Sequence, residues 1–144
     1  MRMPLSSRII FCVLVIYMAI GAHVFDWKTH LQSPRWPPHA KFHSAHTMAI
    51  SIVLCLMTCF IANRRTTDKV LTLIATAGFA SAFWVSQFCA ILYPGTAFVD
   101  PEYDTPSAYI LGFHAQPFLD VAAVCLIIVA VWLAARRNAV WNQP

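Results

Sequence analysis

The chain has 144 residues, of which 59% are hydrophobic and 11% charged, against about 45–50% and about 25% in ordinary soluble domains. That length predicts one domain, and that balance leaves too little polar surface to cover it in water. The formal charge of +4 does not point to nucleic acid, because Lys and Arg sit at the ends of apolar runs, where they act as membrane orientation signals.

Four apolar stretches predict four helical spans, at about 9–25, 45–62, 70–92 and 117–135. Roughly 20 residues at 1.5 Å rise cross about 30 Å of hydrocarbon, and flanking Trp, Tyr and His complete the shorter runs. Backbone groups in lipid must be satisfied within the segment, so the spans are helices rather than open strands. The first run has a rival reading as the h-region of a signal peptide, with Met1–Arg8 as a basic n-region and Gly21-Ala22 as a cleavage site. Cleavage there would free His23 as an N-terminal histidine of the kind that binds copper. The apolar run continues through Val24 and Phe25, so a retained span is expected.

Arg2, Arg8, Arg64, Arg65, Lys69, Arg136 and Arg137 fall on one side of the predicted spans, and Lys28, Arg35 and Lys41 on the other, seven against three. The positive-inside rule then puts both termini and the short second connection in the cytoplasm. The expected fold is an all-α integral membrane four-helix bundle, in a plasma or inner membrane, with two longer loops facing outward. Its cysteines, Cys12, Cys55, Cys59, Cys89 and Cys125, all lie in apolar runs without a C-x-x-C pair and are read as packing residues.

Chemistry is concentrated near the outer ends. In Trp36-Pro37-Pro38-His39-Ala40-Lys41-Phe42-His43-Ser44-Ala45-His46, proline suits a first helical turn. On the helix that follows, His39, His43 and His46 fall at i, i+4, i+7, within an arc of about 60°. Their face continues inward as Ile50, Val53 and Met57. His23, Asp26 and His30 form a second line, at i, i+3, i+7, if the first helix continues outward. Counting from the cytoplasmic charges brings His23, Asp26, His43, His46, Ser86, Gln87, His114, Gln116 and Asp120 to one depth. Asp120 weighs most, since a carboxylate inside a span costs a few kcal/mol and marks function by default. Pro117 is expected to kink the fourth span just before it. Phe42-His43-Ser44 and Phe113-His114-Ala115 also open the second and fourth spans alike, a faint internal repeat.

These residues define an expected metal set of His23, Asp26, His39, His43, His46, His114 and Asp120. Imidazole with carboxylate suits zinc, iron, copper or manganese. H-x-x-x-H pairs occur in membrane desaturases and hydroxylases, whose full set of histidine boxes is missing here. A haem held by two histidines is the alternative cofactor, and a His–Asp acid–base pair acting on a lipid needs none. The corresponding functions are a metal-dependent membrane enzyme, a haem or quinone electron-transfer subunit, and a non-catalytic accessory or transport component. The partners implied are the lipid bilayer and a lipidic or small-molecule substrate. Asp100, Glu102 and Asp104 alternate as in a calcium loop, but Thr105 stands where that loop needs glycine; they are read as a solvated acidic loop.

The run Trp36-Pro37-Pro38-His39-Ala40-Lys41-Phe42-His43 resembles the signature of a small four-span membrane family of unknown function, as does Tyr93-Pro94-Gly95-Thr96-Ala97-Phe98-Val99-Asp100-Pro101. The resemblance covers nearly the whole chain and implies a four-span fold, with no activity and no assigned site residues. Vitamin K epoxide reductase-like proteins require a membrane C-x-x-C, and sterol isomerase-like proteins carry more intramembrane acids than Asp120.

Overall fold

The computed structural model describes residues 2–140, with side chains as far as Arg136. Four helices dominate it: α1 (Leu5–Asp26), α2 (Pro38–Asn63), α3 (Lys69–Ala90) and α4 (Ala115–Val140). Each contains most of one apolar run and is long and apolar enough to cross a membrane. Pro38 opens α2 at the position where a missing N–H costs nothing. Asp68 caps α3, its carboxylate accepting from the Leu71 amide at 2.9 Å. Ile91 and Leu92, the last residues of the third apolar run, fall in the turn after α3.

Successive helices pack side by side, α1 on α2, α2 on α3, α3 on α4, and α4 closes back on α1. The two ends of the bundle are therefore distinct. At one end lie the start of α1, the α2–α3 connection and the end of α4, with Arg8 donating to Asn63 Oδ1 at 3.2 Å across the α1–α2 seam. Arg136 there lies 3.7 Å over the Trp132 ring, a cation–π contact. The long connections occupy the other end.

The packing is inside out by the standards of a soluble protein. Large apolar side chains such as Ile9, Val13, Ile20, Leu56, Phe60, Ile74 and Ile128 are exposed, whereas the seam between helices holds Ala62, Ala80, Ala123, Ala130 and Ala134. Small residues let helices approach closely where hydrophobic burial offers no gain over lipid. The core proper is Phe11, Leu14, Val15 and Met18 from α1 with Trp84 of α3 and Ile127 of α4. Hydroxyls are buried among the helices as well; Thr76 donates to the Thr72 carbonyl at 2.7 Å and Ser51 to the Met48 carbonyl at 2.7 Å. Cys12, Cys55 and Cys59 are free thiols at the α1–α2 seam.

Three features of the end that carries the long connections depart from the sequence expectations. A π-helical turn, Trp27–Leu31, prolongs α1. A two-residue hairpin, β1 (Tyr109–Ile110) and β2 (Phe113–His114), precedes α4. Its turn residues Leu111 and Gly112 have φ of 51° and 83°, the two positive values that a type I′ turn demands. Finally, α4 starts at Ala115, so Pro117 stands in the first turn, where amides have no intrahelical partner anyway. It begins the helix rather than kinking it.

Candidate functional site

Asp120 faces the bundle interior. It continues the buried stripe Ala123, Ile127, Ala130 and Ala134 of α4 at helical spacing, and it is 2% exposed. Neither carboxylate oxygen has a hydrogen-bond partner among the described residues. Trp84 is the matching group on α3. It is 5% exposed, it stacks on Tyr17 at 6.5 Å, and its Nε1–H is also unpartnered. Asp120 lies five residues after the start of α4 and Trp84 six before the end of α3, which is about 8 and 9 Å in from the same end of the bundle at 1.5 Å per residue. Two neighbouring helices thus bring an acceptor and a donor, both buried and bare, to one depth. Leaving such groups unpaired costs a few kcal/mol each.

The hairpin leads into α4 and places His114. Tyr109 stands directly across from His114, with ring centroids 4.5 Å apart, and Phe98 lies 5.9 Å away on the same imidazole. His114 Nδ1 is buried without a partner among the described residues. The Tyr109 hydroxyl donates to Asp104 at 2.8 Å; the bond holds the proton and raises the phenol above its usual range. Arg35 pairs with Glu102, tying the α1–α2 connection to the α3–α4 connection. The acidic loop is thereby used: Asp104 holds the hairpin and Glu102 holds the α1–α2 connection.

The other expected residues fall into two further groups. On α1, His23 Nδ1 is bound to the Ala19 carbonyl at 2.8 Å, and Asp26 lies 3.7 Å from His30 Nδ1. The π-helical turn brings His30 to Asp26, and His30 meets the edge of Trp36 at 4.2 Å. On α2, His39, His43 and His46 are all exposed. Their stripe continues as Ile50, Val53 and Met57, which are 40%, 56% and 39% exposed, so it points away from the bundle. His39 and His43 face each other with Nε2 atoms 3.1 Å apart, while His46 stacks flat on Phe42 at 6.4 Å.

The expected convergence of His43 and His46 with Asp120 is not seen: His39, His43 and His46 look outward where Asp120 looks inward. Among the described residues no three His, Cys, Asp or Glu side chains are placed to hold one ion together. The internal repeat likewise has two settings, since His43 lies inside α2 and His114 in β2.

Sequence reasoning overlooked Trp84, Tyr109, Phe98 and the Arg35–Glu102 pair. The hairpin had a usable signal, glycine at the second turn position between Tyr109-Ile110 and Phe113-His114. Trp84 had a weaker one, an indole in mid-span away from the aromatic belts.

Comparison with curated proteins and with solved structures gives no match. A family model does match, over residues 10–140. The chain belongs to that family, DUF6640, a family of unknown function.

Proposed function

We propose that this protein is an integral membrane binding component, of accessory or transport type, that receives the polar head of a small lipidic molecule at Asp120. The observation that carries the reading is a carboxylate 2% exposed whose two oxygens have no partner among the described residues. Such a group in an apolar span is retained at a cost of a few kcal/mol, which a bound ligand offsets. With Trp84 offering a free N–H at the same depth, the head that fits both donates and accepts. A hydroxyl or an amide does so; a quaternary ammonium does not.

In this reading the four helices span the bilayer. Arg8, Arg64, Arg65, Lys69 and Arg136 at one end put that end in the cytoplasm, and the hairpin caps the site from outside. Reporter fusions after Arg65 should be cytoplasmic and one at Thr105 external.

The decisive experiment is mass spectrometry of amphiphiles that stay with the protein in mild detergent. Wild type should retain one hydroxyl- or amide-bearing class near one per chain, and Asp120→Asn should lose it at equal yield. The same lipid complement in both proteins would overturn the assignment.

A further inference from the structure

We propose that His39 and His43 chelate a divalent first-row transition metal, copper(II) foremost, through their Nε2 atoms on the first two turns of α2. This site is separate from Asp120 and stands or falls independently of it.

The geometry is the first argument. The two Nε2 atoms are 3.1 Å apart. Two nitrogens each about 2.05 Å from one ion are about 2.9 Å apart at a right angle and about 3.35 Å at the tetrahedral angle. The observed separation lies between these, so a few tenths of an ångström of side-chain adjustment admits either a tetragonal or a tetrahedral ion. In the metal-free protein one Nε2–H must donate to the other nitrogen's lone pair, because two bare lone pairs would repel at this distance. The ion takes that place when the donating ring changes tautomer, its proton passing from Nε2 to Nδ1, so both imidazoles stay neutral.

Access and rigidity are the second. Both imidazoles are exposed, so an ion reaches them without disturbing the bundle, and water fills the positions the protein leaves open. The pair stands one helical turn apart in a helix of 26 residues, about 38 Å long against about 30 Å of hydrocarbon. The surplus lets the first turns of α2 stand clear of the apolar layer. His39 is held on one side by Phe42, parallel at 6.1 Å, and His43 meets the same ring at 5.6 Å. His46 stacks on Phe42 at 6.4 Å and makes no group of three ligands with the pair among the described residues.

The ion's identity follows from the donors. Two neutral imidazoles with water discriminate little by softness, so affinity follows the general order that peaks at copper(II), with nickel and zinc weaker. Iron and manganese, included in the sequence expectation, are disfavoured by a site without a carboxylate.

The test is titration of detergent-purified protein, carrying no polyhistidine tag, with copper(II), followed by electron paramagnetic resonance. Wild type should bind one ion per chain and show two equatorial nitrogens, a result that needs no variant. His39→Ala and His43→Ala should each weaken binding at least tenfold, and His46→Ala and His30→Ala less than twofold. No binding by wild type, unchanged binding by the His39→Ala/His43→Ala double variant, or an equal loss in His46→Ala would overturn the pairing.

Discussion

The histidine line of α2 and the carboxylate of α4 lie at similar depth and have opposite surroundings. His39, His43 and His46 look outward, are exposed, and satisfy one another or lean on Phe42. Asp120 looks inward, is buried, and is satisfied by nothing among the described residues. Distance along a helix fixes depth, because every residue adds the same rise. Azimuth is decided by which stripe packs. On α2 that stripe is Met48, Ser51, Thr58 and Ala62, which turns the histidines out. On α4 it is the alanine seam, which turns Asp120 in.

The largest effect that could break this contrast is at Asp120. In delipidated protein, Asp120→Leu should raise stability by about 2.5 kcal/mol, the insertion cost of a central carboxylate, seen as a higher unfolding midpoint in detergent. A lower midpoint would mean that the carboxylate has a partner within the protein. Next is the turn that caps the site. Leu111 holds φ of 51° while 84% exposed, so its side chain contributes strain and no packing. Leu111→Gly should stabilise the hairpin by about 1 kcal/mol, detectable as slower amide exchange at Ile110 and Phe113.

On the histidine side, metal-free His39→Ala and His43→Ala should each change stability by less than about 0.5 kcal/mol, the range for exposed surface sites. A drop of 2 kcal/mol or more on the same unfolding curve would place the line in a packed interface and erase the contrast. The smallest effect is at Tyr109. Its phenol is raised by the hydrogen bond to Asp104, so the folded state favours the neutral form. The stabilisation is present below the ordinary tyrosine range and is lost as pH rises through the raised value. Asp104→Asn should return the absorbance titration of this phenol to the ordinary range of about 10; an unmoved titration would show that the bond does not hold the cap.

Four helices long and apolar enough to span were legible in the sequence because that signal is compositional and sums over some 20 positions. Asp120 was legible for the same reason, a single charge against an apolar background. The seven-residue metal set was a different kind of inference, since it joined groups on three helices by helical spacing and depth, neither of which fixes which way one helix faces another. Which face of α2 packs is decided by Ser51 and Thr58 against Val53 and Met57, and their hydropathies argue for the wrong side in a soluble protein. In an inside-out bundle the small hydroxyl residues go to the seam and the larger apolar ones outward. Had that inversion been applied to the α2 stripe, His39, His43 and His46 would have been read as outward-facing. The Arg35–Glu102 tie could not be read at all, because nothing local pairs two loops 67 positions apart.

Trp27–Leu31 is wound wider than an α-helix, with bonds such as Gln32 N–H to the Trp27 carbonyl at 3.0 Å. The chain end of α1 thus carries one residue more than an α-helical path of the same length would use. Deleting a single residue there would let the turn relax to α-helix without shortening the rest of α1. The wide turn holds its extra residue within a single turn, so the chain after it, with Arg35, would keep its direction toward Glu102. The same deletion one turn earlier, in regular α-helix, would instead rotate everything after it by about 100°, one residue's share of a 3.6-residue turn. The π-helical turn is therefore the place in α1 where a change of length by one residue does least to the contacts beyond it.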